Sequence, residues 1–430
     1  MKNIYRISLT ALAVIANNAY TEQPKLLHEV IDEQIEQILG ISTISTRGNL
    51  DLAMLCGKED AKNFDPQASM LGNAFITYKD HNDKIGYGAE VGFKTRSGIV
   101  KSGRAIVDTA HINLQHDYFG TFKFGYTESV AFVFNSSSRD ILVGYKSFEC
   151  SDKGLEYFYQ MPTDAILNGA PRFDNKAAKI WWMSPTYKGI TIGLSYAPND
   201  RFQNPFKVKH VKDESTLGSK CSYISSLDYF KNFTTGAISY EHGNLQKFHY
   251  RAAFEYWYGK AASYVKNRHI RDVHIYNIGL DLGYNKFKTS FNYTDNGKSG
   301  LATECIAENT AVYDSSTNYS ISDNTVGICN GADAGKVYRA VMGYDFGKIK
   351  LSAGYLYSKQ KLSSSNNING RIISAGVEYK FDRAMITYFE YDHIRTHMCD
   401  QGIIYEKAVY KKDRKNNNAN MYIFGMKINI

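Results

Sequence analysis

The sequence predicts an all-β fold, a 16-stranded antiparallel transmembrane β-barrel spanning residues 44–430, with a short helix ahead of it. Three observations carry that prediction. Short segments of alternating apolar and polar residues recur from residue 44 to the last residue, with no sustained helical period between them. Their connections are tight and long by turns, as in a barrel whose hairpins close on one side of a membrane and open into loops on the other. Aromatic residues make up 14% of the chain while prolines number only 7, a balance that favours uninterrupted strands. Mean hydropathy is −0.39, and no run of 18 apolar residues follows the N-terminus. Membrane-spanning helices are thereby excluded. Strands are not, because each needs only about 9–11 residues with one apolar face.

Met1–Ala19 carries Lys2 and Arg6, then an apolar run from Ile7 to Ala16, the layout of a secretory signal peptide. Residues 22–40 read as an amphipathic helix: Leu27, Ile31, Ile35 and Ile38 form one stripe, acids fill the other faces, and Gly40 ends it. A helix this short must pack on something, so residues 24–39 are available for cell-wall or helix–helix contact.

The expected strands are 44–56, 71–80, 84–95, 108–117, 119–127, 175–184, 189–198, 221–231, 233–242, 271–283, 286–295, 336–346, 348–358, 371–381, 384–393 and 420–430. Phe287, Phe291 and Tyr293 share one face of their segment, and Lys288, Ser290 and Asn292 share the other. Tyr338, Ala340, Met342 and Tyr344 likewise oppose Arg339 and Asp345. Aliphatic faces ending in Tyr or Phe suit a lipid slab with interfacial belts. The last segment alternates Tyr422, Phe424, Met426 and Ile428 with Ile423, Gly425 and Lys427, an edge that has to seal against the first strand. Short turns are expected at 81–83, Tyr118, 185–188, Asn232, Asn285, Gly347 and 382–383. Long connections are expected at 57–70, 96–107, 128–174, 199–220, 243–270, 296–335, 359–370 and 394–419.

The third long connection, 128–174, holds Phe132, Phe134, Ile141, Leu142, Tyr145, Phe148, Tyr157, Phe158 and Tyr159. That is too much apolar material to leave in water, so the segment folds against whatever the strands build.

The net charge of +8 comes from 51 basic and 43 acidic residues scattered along the chain, so no nucleic-acid partner is expected. Cys56, Cys150, Cys221, Cys305, Cys329 and Cys399 lack zinc-site spacing; in an exported protein Cys305–Cys329 is the first disulfide to expect, with free thiols as the open alternative. His393 and His397 are the only histidine pair worth weighing as metal ligands, and no metal or cofactor is expected. With no H-E-x-x-H, G-x-S-x-G or G-K-[ST] motif, an enzyme is not expected either.

Three stretches resemble the general porins of Gram-negative outer membranes: Tyr87–Lys94, Ala110–Leu114 leading into Phe119–Gly125, and Ile180–Tyr187 followed by Gly189–Asn199. The strand at the C-terminus is similar too, although it ends on Ile430 where the family usually has Phe. The resemblance implies a homotrimer in the outer membrane whose third external loop folds inward to narrow a water-filled pore for ions and small hydrophilic solutes. On that basis Asp140, Glu149, Glu156 and Asp164 are the expected loop side of the constriction, facing Lys94, Arg96, Lys123 and Arg339 on the wall. Two alternatives stay open. Tyr145, Tyr157, Phe158 and Tyr159 are candidate solute contacts for a substrate-specific channel, and the Ser-, Asn- and Thr-rich loop 296–335 suits a structural or adhesive barrel.

Overall fold

The computed structural model describes residues 44–59, 62–82, 85–97, 106–135, 141–144, 176–200, 228–244, 247–263, 271–299, 333–361, 367–397, 404–405, 408–409 and 416–429. The expected signal peptide, the N-terminal helix and every cysteine but Cys56 lie outside them. Cys56 has a free thiol, 3.7 Å from the Tyr422 carbonyl oxygen.

The strands are β1 (Ile44–Glu59), β2 (Lys62–Asn82), β3 (Ile85–Ser97), β4 (Ile106–His116), β5 (Gly120–Thr127), β6 (Ala177–Met183), β7 (Ile190–Asp200), β8 (Asp228–Asn244) and β9 (Phe248–Ser263). They continue as β10 (Val273–Tyr284), β11 (Phe287–Asp295), β12 (Asp333–Asp345), β13 (Ile349–Lys361), β14 (Asn367–Lys380) and β15 (Met385–His397). A small hairpin, β16 (Ile404–Tyr405) with β17 (Ala408–Val409), precedes the terminal strand β18 (Asn416–Asn429). β1–β15 and β18 close into an antiparallel barrel of 16 strands, each hydrogen-bonded to its chain neighbours. Closure is made by β1 with β18, in register from Asn49↔Asn429 to Glu59↔Ala419.

Alternation sorts the side chains into two surfaces. On β10 and β11, Ile278 and Phe291 are 51% and 47% exposed, whereas their neighbours Asn277 and Ser290 are 0% and 2% exposed. The exposed set faces lipid, with Tyr276 and Tyr284 bracketing Ile278, Leu280 and Leu282 along β10. The buried set faces the bore.

The expected strands at 221–231 and 233–242 are a correction. Residues 228–244 form one strand, and the barrel's ninth strand is Phe248–Ser263, inside the stretch expected to be the loop 243–270. Asn232 does take a positive φ of 51°, the signal that suggested a turn. It belongs instead to a bulge, where the β8–β9 register shifts between Lys231 and Thr234. Gly259 lies opposite the bulge, and a Cβ there would sit 2.5 Å from the Phe233 ring, so glycine lets that ring turn inward. Two connections are also shorter than expected: β1 and β2 extend until residues 60–61 separate them, and residues 362–366 separate β13 from β14. Strict alternation of short and long connections is lost with them, since the β1–β2 connection is as short as the turn at residues 83–84.

Arg substituted for Leu280, mid-way along the outward face of β10, is expected to cost about 2–4 kcal/mol of folding stability. Urea titration of barrels folded into phosphocholine vesicles measures this; a similar loss from Arg at Tyr284, at the band edge, would contradict the assigned depth.

Candidate functional site

The described part of the third connection begins at Glu128 and forms the helix α1 (Val130–Phe134). Val130, Ala131 and Phe134 are fully buried, in one cluster with Trp181, Ala197, Phe230, Phe233, Trp257 and Ile275 from β6–β10. On β7, Gly193 makes the approach possible, since a Cβ there would lie 2.6 Å from Val130 Cγ2 and 2.7 Å from Phe134 Cε2. So short a helix leaves most of its backbone groups without internal partners, and the wall supplies some. The Val130 amide donates to Ser195 Oγ at 3.4 Å, and Arg251 Nη2 donates to the carbonyl oxygens of Val133 and Phe134 at 3.2 and 3.0 Å.

Ile141–Gly144 lies against the other side of the barrel. The Val143 amide donates to Ser352 Oγ on β13 at 3.0 Å, and the Gly144 amide donates to Glu378 Oε1 on β14 at 2.9 Å. Lys427 Nζ on β18 joins both, 2.5 Å from the Gly144 carbonyl oxygen and 3.0 Å from Glu378 Oε1. The carboxylate thus binds a backbone N–H and an ammonium together, the stronger, charge-assisted kind of hydrogen bond. The described pieces of this connection, Glu128–Asn135 and Ile141–Gly144, are thus held by different parts of the inner wall. Lys176, where the chain re-enters β6, forms ion pairs with Asp108 and, at 3.7 Å, with Glu128.

Between the two anchors lies a polar row. Asn135 Oδ1 accepts from Asn292 Nδ2 at 3.2 Å and from Arg339 Nη2 at 3.4 Å. Asn277 donates to the buried Glu255 carboxylate and accepts from Thr294 Oγ1 at 2.7 Å, while Arg251 lies 4.0 Å from Asp281.

Of the expected wall residues, Lys94, Lys123 and Arg339 occupy inward positions of β3, β5 and β12. Lys94 and Lys123 are half-buried, Lys123 with its ammonium 4.8 Å from the Trp181 ring centroid, while Arg339 is buried beside the loop segment. Arg96 is in β3, its side chain outside the described residues. Asp140, Glu149, Glu156, Asp164, Tyr145, Tyr157, Phe158 and Tyr159 also lie outside them. Arg251, Glu378 and Lys427 were not anticipated. Arg251 stands in the stretch taken for a loop; Lys427 and Glu378 were visible only as polar positions of alternating strands. His393 and His397 both face outward on β15, about 13 Å apart at strand rise, too far to share a metal ion.

A closed barrel with an apolar exterior and an inner wall lined with fixed charges is the architecture of an outer-membrane channel for small solutes. The chain belongs to the Gram-negative porin family, whose model matches residues 8–397. Among solved structures it is similar to the anion-selective porin of Comamonas acidovorans, at 11% identity and TM-score 0.56, covering 90% of this chain and 99% of that one. Salmonella typhi OmpF in complex with daunomycin gives 12% identity and TM-score 0.56, covering 90% and 97%. In-vitro folded OmpT of Vibrio cholerae gives 14% and 0.50, covering 90% and 98%. No curated protein matches the chain in sequence.

Arg251→Ala removes the only charged donor on the α1 carbonyls among the described residues. Hydrogen bonds from a charged group contribute about 1.5–3 kcal/mol, so amide exchange at Val130–Asn135 is expected to quicken by about ten- to a hundredfold. Mass-spectrometric exchange on the intact barrel reads this, and Lys188→Ala, at the β6–β7 turn, should leave those amides unchanged.

Proposed function

We propose that this porin is a general diffusion channel, assembled as a homotrimer, in which loop 128–174 sets the pore constriction. The observation that carries the reading is the anchoring of Val130–Phe134 on one part of the inner wall and of Val143–Gly144 on another, which supports a loop folded into the bore. Asp140, Glu149, Glu156 and Asp164 form the acidic side, and Lys94, Arg96, Lys123 and Arg339 the basic side. Transport is passive: solutes move through water, and selection follows from width and from the field between fixed charges. Lys94 and Lys123 matter most for permeating ions, being half-buried where Arg339 is packed against Asn135.

Purified protein in a planar bilayer is expected to insert in conductance steps that come in threes. Lys94→Ser with Lys123→Ser should move the reversal potential in asymmetric KCl toward cations. Unchanged reversal potentials would remove these lysines from the constriction, and saturable current block by one solute would replace the general channel with a substrate-specific one.

A further inference from the structure

The outward face of β11–β15 carries a cluster of cations that the channel does not use. Cross-strand register sets Lys336 directly opposite Lys359, and Arg371 directly opposite Arg395. Opposed residues on antiparallel strands have Cβ atoms about 4.5–5.5 Å apart, and like charges there are destabilising. The two pairs are diagonal neighbours, because on the β13–β14 ladder Arg371 pairs with Tyr357 and Lys359 with Asn369, two positions on. Lys361 adds a fifth cation opposite Asp333. Asp295 accepts from Lys336 at 3.1 Å, so two acids face five cations. Among the described residues Lys359, Arg371 and Arg395 have no ion-pair partner, and Arg371 Nε is buried without an acceptor.

Depth defines what meets these groups. They lie at the end of the barrel where the long connections emerge. Immediately beneath runs an aromatic row across four strands, Tyr276–Tyr293–Tyr338–Tyr357, with ring centroids 5.0–6.1 Å apart. Beyond it the boundary descends, to Ile373 below Arg371 on β14 and Tyr391 below His393 on β15, as tilted strands require. The cations therefore stand just above the hydrocarbon edge, at headgroup level. Lys336, Lys359, Tyr338, Tyr355 and Tyr357 line an open depression in this outer surface.

We propose that this face binds the phosphate groups of an anionic lipid of the external leaflet. Phosphate oxygens between the opposed side chains turn two repulsive pairs into shared, charge-assisted contacts, for which the arginine fork is well shaped. The tyrosine row and depression below receive the lipid's apolar part. A free anion would use the cations alone and leave the depression empty.

The test uses the full-length folded protein in detergent, with a bis-phosphorylated acylated glucosamine disaccharide as probe. The phosphorylated probe is expected to raise the thermal unfolding midpoint, and its dephosphorylated counterpart is not. Lys359→Gln with Arg371→Gln should weaken binding at least tenfold, while Lys188→Gln, at the opposite end, should leave it unchanged. Without lipid the double variant should unfold at the same temperature as the parent or higher, since repulsion is relieved. Equal binding by variant and parent, or by the dephosphorylated probe, overturns the proposal. Displacement of the lipid by inorganic phosphate at comparable concentration overturns the lipid as occupant and leaves a free-anion site.

Discussion

Hydrocarbon offers no partner to a backbone N–H or C=O, and that constraint governs this molecule. Every strand in lipid has to be paired along both edges, so the sheet closes, and the closing seam between β1 and β18 joins the two ends of the barrel sequence. Closure then forces the alternation. A residue such as Ile278 meets lipid because Asn277 meets the bore, and no intermediate orientation exists for either.

A closed barrel has no core of its own, and the third connection supplies one. Val130 and Phe134 bury against Trp181, Phe233 and Trp257, so part of this wall is apolar on both faces. Across the bore the same segment is held by polar contacts to Ser352, Glu378 and Lys427. The inward charges thus divide by task. Arg251, Glu378 and Lys427 hold backbone in place, while half-buried Lys94 and Lys123 remain close to the water-filled space.

Much of this was legible in the sequence where one face differed chemically from the other. β10–β15 and β18 alternate clearly, which put Arg339 on the inner wall and Phe291 outside. β9 defeated the same reasoning. Tyr250, Phe254, Tyr256 and Tyr258 face lipid, but the inward side mixes Arg251 and Glu255 with Ala253 and Trp257, the last packed in the α1 cluster, which blurs the polar period. Asn232 misled for a related reason, since a positive φ marks a bulge as readily as a turn.

The sequence by itself determined the all-β class and the place of the third loop, because both follow from local alternation and turn chemistry, whereas the total of 16 came out right because dividing residues 228–244 in two offset the missed β9. Only the tertiary structure decided which residues meet: Arg251 with the α1 carbonyls, Glu378 with Gly144 and Lys427, Lys359 with Lys336, Arg371 with Arg395. These contacts depend on cross-strand register and on which parts of the inner wall the third connection meets. Both are set by how the whole sheet closes, which no local pattern encodes.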